Sequence, residues 1–180
     1  MSLVVVVTGP IASGKSTISR EIARELERND ARVAVIDLDL VHEGLLPEGS
    51  TSDDAILELA RHAAAAQANA YLAEGVAVVV AEGSFNTPGD RSAFTHRLDP
   101  GVVPLVVTLR VSYEEALRRA QGDPTRGRSR DPEFLGGYFA AHQALAAGPA
   151  TDVVIDTEAM SATSAAAAIA GLIRPPAAPP

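Results

Sequence analysis

Residues 3–17, LVVVVTGPIASGKST, constrain the fold more than any other stretch of this chain. Leu3–Val7 is an apolar, mostly β-branched run, which predicts a strand buried on both faces. Gly9–Ser16 then fits the pattern GxxxxGK[ST], and apolar residues follow at helical spacing from Ile18 to Leu26. A strand, a glycine-rich loop and a helix in this order predict a phosphate-binding loop.

Each position of this loop has a predicted role. Gly9 and Gly14 let the backbone turn and approach a ligand closely. We expect Lys15 to reach the β- and γ-phosphates and the Ser16 hydroxyl to bind Mg²⁺. The amides of the loop and of the helix N-terminus should face the anion. The predicted nucleotide-binding residues of the loop are Gly9, Ala12, Ser13, Gly14, Lys15, Ser16 and Thr17.

Composition narrows the class of protein. The 180 residues have a net charge of −8, which argues against nucleic-acid and membrane partners. With no cysteine there can be no disulfide and no thiolate site. The chain has no basic leader, so we expect a cytoplasmic protein. A monomer and a homodimer both stay open. A single domain is predicted over 1–174, with a loose Pro/Ala tail over 175–180.

Further strands and helices alternate along the chain, which predicts an α/β fold with a parallel sheet and helices on both faces. Ligands of such sheets bind at the carboxyl ends of the strands. The segment 41–52 is predicted to be a loop that can begin with one helical turn. Strands are predicted at 3–7, 32–36, 76–81, 102–110 and 152–156, and helices at 15–28, 53–73, 90–97, 113–120, 132–146 and 161–173.

Three acidic residues lie at the carboxyl ends of predicted strands, where ligands of such sheets bind. We favour Asp39 as the base that accepts or orients the proton of a substrate hydroxyl. Asp37 could hold a magnesium-bound water or support Asp39, although aspartate at a strand end is also common as a turn residue or helix cap. Glu82 ends the third strand, where an acid orders metal-bound water; a substrate contact is the alternative. The predicted metal residues are Ser16, Asp37 and Glu82.

Arginine is concentrated late in the chain. Five of the fifteen basic residues lie in Arg118–Arg130. Gly122 and Gly127 lie within this segment as hinges, which predicts a mobile lid over about 121–132 that stabilises charge during phosphoryl transfer. A solvated basic turn is the alternative. The arginines chosen for a role are Arg119, Arg126 and Arg130, with Arg126 and Arg130 as the catalytic pair.

Two further residues are candidates for the substrate side. Arg91 could contact an anionic or hydroxyl-rich substrate, or be a solvated helix residue. His42 lies near the predicted substrate pocket, which should be formed by 38–50, the helix from 53 and the segment 83–97. The chain's four histidines have no metal-ligand spacing, and surface or packing roles are favoured for them.

The chain resembles small P-loop kinases, a group that includes shikimate, gluconate, adenylylsulfate and nucleoside monophosphate kinases and chloramphenicol phosphotransferase. The segment VIDLDLVHEGL is similar to the adenylylsulfate kinase and chloramphenicol phosphotransferase pattern, in which an Asp faces the substrate hydroxyl; this assigns that role to Asp39. The resemblance implies a three-layer P-loop NTPase fold with strand order 2-3-1-4-5 and an arginine-rich lid. It also implies adenine contacts from the lid start, at Arg119, and near Thr157 and Glu158.

The expected function is Mg²⁺-assisted transfer of the γ-phosphoryl group of ATP to a hydroxyl of a small molecule. A nucleoside or nucleotide kinase and a catalytically silent ATP-binding regulator are the alternatives. A guanine-nucleotide switch is excluded because it needs an NKxD motif, and the only lysine of the chain is Lys15.

Overall fold

The sheet is fully parallel and has five strands. A computed structural model describes residues 2–46, 54–145 and 151–173. The strands are β1 (Leu3–Thr8), β2 (Val33–Asp37), β3 (Val78–Glu82), β4 (Val103–Arg110) and β5 (Val153–Asp156). Their order across the sheet is β2-β3-β1-β4-β5, which confirms the predicted P-loop NTPase fold.

Helices cover both faces of this sheet. They are α1 (Lys15–Glu27), α2 (Leu38–Glu43), α3 (Asp54–Ala73), α4 (Pro88–Thr95), α5 (Tyr113–Gly122), α6 (Pro132–Leu145) and α7 (Ala162–Leu172). Side chains of α1 and α7 pack on one face, and those of α3 and α4 pack on the other. The three layers place every βα connection at the carboxyl edge of the sheet.

The valines of β1 explain why the central strand is buried on both sides. Val5 and Val7 point to the face covered by α1 and α7, whereas Val4 and Val6 point to the face covered by α3 and α4. All four are fully buried. Successive side chains of a strand alternate between faces, so an uninterrupted apolar run is what a central parallel strand requires.

A third, smaller apolar cluster joins the loop after β1 to the late helices. Ala12 of the loop packs with Ala116 and Ala120 of α5 and with Leu135 and Phe139 of α6. The segment between these two helices contains a short 3-10 turn at Arg128–Arg130. The arginine-rich part of the chain is therefore anchored directly beside the glycine-rich loop.

Three boundaries differ from the sequence predictions. The acidic turn after β2 begins a helix at once, because Asp37 Oδ1 accepts hydrogen bonds from the amides of Asp39 (2.9 Å) and Leu40 (3.4 Å). Helix α4 starts at Pro88, before the predicted residue 90, since Thr87 and Asp90 form a reciprocal capping box. Helix α5 ends at Gly122, two residues after its predicted end at Ala120.

Some predictions fall outside the described residues. These are the cap at 52–53, most of the loop after residue 46, the end of α6 at 146 and the tail at 175–180. Within the described ranges, none of the helices is both long and apolar enough to cross a membrane.

Candidate active site

The loop between β1 and α1 presents backbone donors at the sheet edge. Within the described ranges, no backbone carbonyl accepts a hydrogen bond from the amides of Gly14, Lys15, Ser16 or Thr17. These amides open α1, and the first amides of any helix lack intrahelical acceptors. Together with the positive end of the helix dipole, they form a binding site for an anion.

Close packing at the start of the loop requires glycine. Gly9 has φ +148°, and a Cβ there would lie 2.7 Å from the carbonyl oxygen of Leu109 and 2.9 Å from Ser13 Oγ. Ser13 Oγ is itself buried and has no hydrogen-bond partner within the described residues. A buried hydroxyl in this position suits a phosphate oxygen, so the loop fits the group that its sequence predicts.

Lys15 connects the loop to the acids around it. Its Nζ donates hydrogen bonds to the carbonyl oxygens of Gly9 (3.1 Å) and Pro10 (3.2 Å). Burial lowers the pKa of Lys15, and the negative charges of Asp39 and Glu82 oppose that shift. The structure therefore brings Lys15 into electrostatic reach of the acids that end β2 and β3.

The register of the sheet sets these acids side by side. Asp37 is paired with Glu82, and Glu82 with Val7 on the next strand, at the usual spacing of about 4.8 Å between strands. Burial raises the pKa of Glu82, whereas a hydrogen bond from the Ser16 hydroxyl lowers it. The hydroxyl and the carboxylate proposed to hold a metal are thus direct neighbours.

Gly83 fixes how closely the two acidic turns approach. It has φ +150°, and a Cβ at this position would lie 2.5 Å from Cβ of Leu38. Leu38 is almost fully buried between the two aspartates of its turn. The glycine after β3 therefore leaves room for the leucine that anchors Asp37 and Asp39 at the edge of the sheet.

Asp37 and Asp39 have different surroundings. Asp37 caps α2, which is the alternative role that the sequence predicted for it. Its charge also acts on Lys15 and Glu82. Asp39 is exposed in the first turn of α2, and its charge acts on Lys15, Glu82 and Tyr138. Asp39 is therefore the acid with the freer carboxylate.

The donor set fits magnesium better than a transition metal. No cluster of three or more His, Asp or Glu side chains that could hold an ion occurs in the described part of the chain. Mg²⁺ is commonly held by one or two carboxylates together with substrate phosphates and water. Ser16, Glu82 and Asp37 could supply this partial set, and the ion would neutralise charge on the phosphates.

Replacing Glu82 with glutamine is expected to stabilise the fold while impairing function. A carboxyl whose folded pKa is raised contributes stability that is fully present below the unfolded pKa, about 4.3, and is lost as pH rises through the folded pKa. Glu82→Gln avoids this loss and should raise Tm at pH 7 by about 2–4 °C, which corresponds to about 1 kcal/mol. ATP turnover should fall.

Thermal unfolding at pH 7 and pH 4 checks this prediction. The difference between Glu82→Gln and the parent should shrink at the lower pH. Glu74→Gln, at an exposed position between α3 and β3, is the matched control and should leave Tm unchanged. A lower Tm for Glu82→Gln at pH 7 would contradict the argument.

Arg119 ties α5 to both the loop and the strand-end segment after β5. It donates hydrogen bonds to the carbonyl oxygen of Ala12 (3.4 Å), to Thr157 Oγ1 (3.0 Å) and to the Thr157 carbonyl (2.8 Å). Glu115 accepts a further hydrogen bond from it at 2.7 Å. The structure thus brings Arg119 and Thr157 together beside the loop, and these are residues for which the resemblance to small P-loop kinases implies adenine contacts.

The two arginines chosen for catalysis are placed differently. Arg126 is half-buried, is paired with Asp123 at 3.2 Å, and its positive charge acts on Lys15. Arg130 is exposed at the end of the 3-10 turn. Between them, Arg128 lies over the ring of Phe134, 4.7 Å from its centroid. Arg126 is therefore the better placed of the pair.

Of the two predictions for Arg91, a solvated helix residue is wrong, because the side chain is buried. It is 8% exposed, and its Nη1 donates to the carbonyl oxygens of Phe85 (3.1 Å) and Asn86 (3.2 Å). It thus holds the turn after β3 at the edge of the sheet. His42 is half-buried in the last turn of α2.

Sequence reasoning missed Tyr138 of α6 and assigned no role to Asn86. Tyr138 packs in the third cluster with Ile11 and Ala12 of the loop, and its ring stacks on His142 at 5.8 Å. The only sequence signal is that Tyr138 and His142, four residues apart, share one helix face. No motif indicated that this face meets the loop.

Solved structures share this fold. The chain is similar to the crystal structure of APE1195, with a TM-score of 0.70 and 23% identity over 95% of this chain and 94% of the other. It is also similar to an unliganded sugar kinase from Janibacter sp. HTCC2649, with a TM-score of 0.65 and 19% identity over 94% and 92%. At these identities the likeness is one of fold alone.

No curated protein matches the chain. The family model described as the AAA domain matches residues 4–134, which is well over half of the 180 residues. The chain therefore belongs to the AAA domain family.

Proposed function

We propose that the chain is an ATP-dependent phosphotransferase that moves the γ-phosphoryl group to a hydroxyl of a small molecule. The setting of Lys15 carries this proposal, because charged residues from three parts of the chain act on its charge. They are Asp37 and Asp39 after β2, Glu82 at the end of β3, and Arg126 between α5 and α6. Membership of the AAA domain family and the P-loop NTPase fold support phosphoryl transfer in general. The similar sugar kinase makes a hydroxyl acceptor the first class to test.

The reaction assigns one role to each group. The hydroxyl oxygen of the acceptor forms a bond to the γ-phosphorus as the bond from that phosphorus to the bridging oxygen of ADP breaks. Asp39 takes or orients the hydroxyl proton, while Lys15 and the loop amides hold the phosphates. Arg126, and Arg130 after closure of the lid, would meet the charge on the transferring group.

Charge around the acceptor side favours a neutral acceptor. Of the described residues there, Asp37, Asp39 and Glu82 are acidic. Arg61 of α3 is paired with Asp90 at 2.9 Å, and Arg91 is engaged by two backbone carbonyls. These acids would repel an anionic substrate, and the arginines named here are already paired and would not offset that repulsion. An uncharged or amine-bearing polyol is the class that this arrangement fits.

A transfer assay with γ-labelled ATP tests the function. The assay should include matched pairs that differ in an acidic group, such as glucose with glucuronate and ribose with ribose 5-phosphate. Nucleosides and aminated sugars complete the set of acceptors. We expect label in at least one hydroxyl compound, more in neutral members than in anionic ones, and none after the divalent metal is chelated. Lys15-dependent ATP binding without transfer to any acceptor would instead favour the silent regulator.

A further inference from the structure

Tyr138 lies where three parts of the site meet. It belongs, with Ile11 and Ala12 of the loop, to the third apolar cluster. Burial raises the pKa of Tyr138, the nearby charge of Asp39 adds to that shift, and hydrogen bonds with Asn86 and the Ile11 backbone oppose it. His142, on whose ring Tyr138 stacks, lines one cavity with Gly9 of the loop and Asn86 of the turn after β3. The phenol therefore lies beside the loop and that turn, and within electrostatic range of Asp39.

The Asn86 side chain is held by hydrogen bonds of defined direction. The Phe85 amide donates to Thr8 Oγ1 at 3.2 Å, and the Thr8 hydroxyl donates to Asn86 Oδ1 at 3.3 Å. Arg91 fixes the same turn through the carbonyl oxygens of Phe85 and Asn86. With its oxygen engaged, Asn86 has its NH₂ group to offer to Tyr138, and a chain of this kind strengthens its last bond.

The phenol oxygen is placed to accept from these two neighbours, which leaves its own proton available. Asn86 and the Ile11 backbone act on the pKa of Tyr138 in the sense of donors, because donors favour the charged form of an acid. A tyrosine hydroxyl both donates and accepts. Its O–H can thus be offered to an oxygen of a ligand between the loop and Asp39.

The ring itself is held firmly. His142 stacks on it at 5.8 Å with an interplanar angle of 21°, and Phe139 meets its edge at 6.1 Å. Aromatic packing of this kind fixes the ring plane, so the hydroxyl has a defined position relative to the loop.

We propose that the Tyr138 hydroxyl donates a hydrogen bond to an oxygen of the terminal phosphoryl group of ATP, with Asn86 as its positioning residue. This rests on the proposed function and adds a residue to it. With Lys15 assigned to the terminal phosphates and Asp39 to the acceptor, the transferring group lies between the loop and Asp39. A donor there stabilises charge on the phosphoryl oxygens, and its proton stays on the phenol throughout.

Tyr138→Phe removes the donor and keeps the ring. By isothermal titration with Mg²⁺, we expect the Kd of a non-hydrolysable imido analogue of ATP to rise about tenfold and the Kd of ADP to stay unchanged. Hydrolysis of ATP with water as acceptor should slow as well. Asn86→Ala should shift the same ratio of affinities in the same direction, by about threefold.

Tyr113→Phe is the matched control. The Tyr113 hydroxyl donates to the Pro132 carbonyl at 3.1 Å, and the Tyr113 ring contacts Phe139 at 5.8 Å. This variant therefore removes a tyrosine hydroxyl from the same apolar cluster. It should keep both affinities. An unchanged ratio for Tyr138→Phe, equal weakening of both nucleotides, or tighter binding of the analogue would overturn the proposal. A parent protein that bound neither nucleotide would instead remove the proposed function.

Discussion

Replacing Lys15 with alanine is expected to lower ATP turnover by about a thousandfold. The ammonium group is the only lysine charge of the chain, and it lies in the loop within electrostatic reach of Asp39 and Glu82. A preorganised charge in a half-buried site stabilises the phosphates far more than an exposed one. Steady-state ADP release and nucleotide titration measure the effect.

Loss of folding cannot account for such a result. Burial lowers the pKa of Lys15, so its charged form costs the folded state free energy at neutral pH, and alanine removes that cost. The Tm of Lys15→Ala should therefore equal or exceed that of the parent. Arg20→Ala, an exposed cation on the same helix, is the matched control and should keep full turnover. Equal turnover by Lys15→Ala and the parent would exclude this loop as the site.

Asp39→Asn is expected to lower kcat for transfer by about a hundred- to ten-thousandfold, with ATP affinity retained. Asparagine keeps the size of the side chain and loses the basic oxygen. Asp39 is exposed in the first turn of α2, and its backbone amide is already bonded to Asp37. The short helix should therefore keep its shape in the variant.

Asp37→Asn separates the two aspartates. Asparagine is also a good helix cap, so α2 should persist, and a smaller loss of kcat is expected together with a weaker response to Mg²⁺. Single-turnover transfer to the best acceptor, followed over a range of Mg²⁺ concentrations, distinguishes the variants. If Asp37→Asn lowered kcat more than Asp39→Asn, the two roles would be exchanged.

The sheet could be predicted because its signals are local. Each strand is a short apolar run, and Leu3–Val7 is followed directly by a loop whose spacing admits few folds. The order of the strands came from resemblance to a family, since nothing in an apolar run states which neighbour it pairs with. The structure shows that order.

Side-chain surroundings were harder to predict. Arg91 is charged and lies on a short helix, so the sequence favours solvent as readily as a substrate; burial follows only when α4 packs against the turn after β3. Tyr138 needed the docking of α6 on Ala12, a contact between residues more than a hundred positions apart. The spacing of residues along one helix does not show which distant segment that helix packs against.

The lid illustrates the same limit. Composition identified the arginine-rich segment, and glycine suggested its hinges, but Gly122 completes α5. Which arginine approaches Lys15 depends on how α5 and α6 are anchored, and this favours Arg126 over Arg130. The lid boundaries and the roles of these two residues stay predictions.

The contact of Gly83 with Leu38 ties together two turns that are far apart in sequence. Relatives with a different acceptor should keep both Gly83 and Leu38, or change both residues together. A methyl group added at position 83 would overlap the Leu38 side chain. Directed evolution toward new acceptors would therefore be better aimed at exposed Leu40 and half-buried His42 than at Leu38 and Gly83.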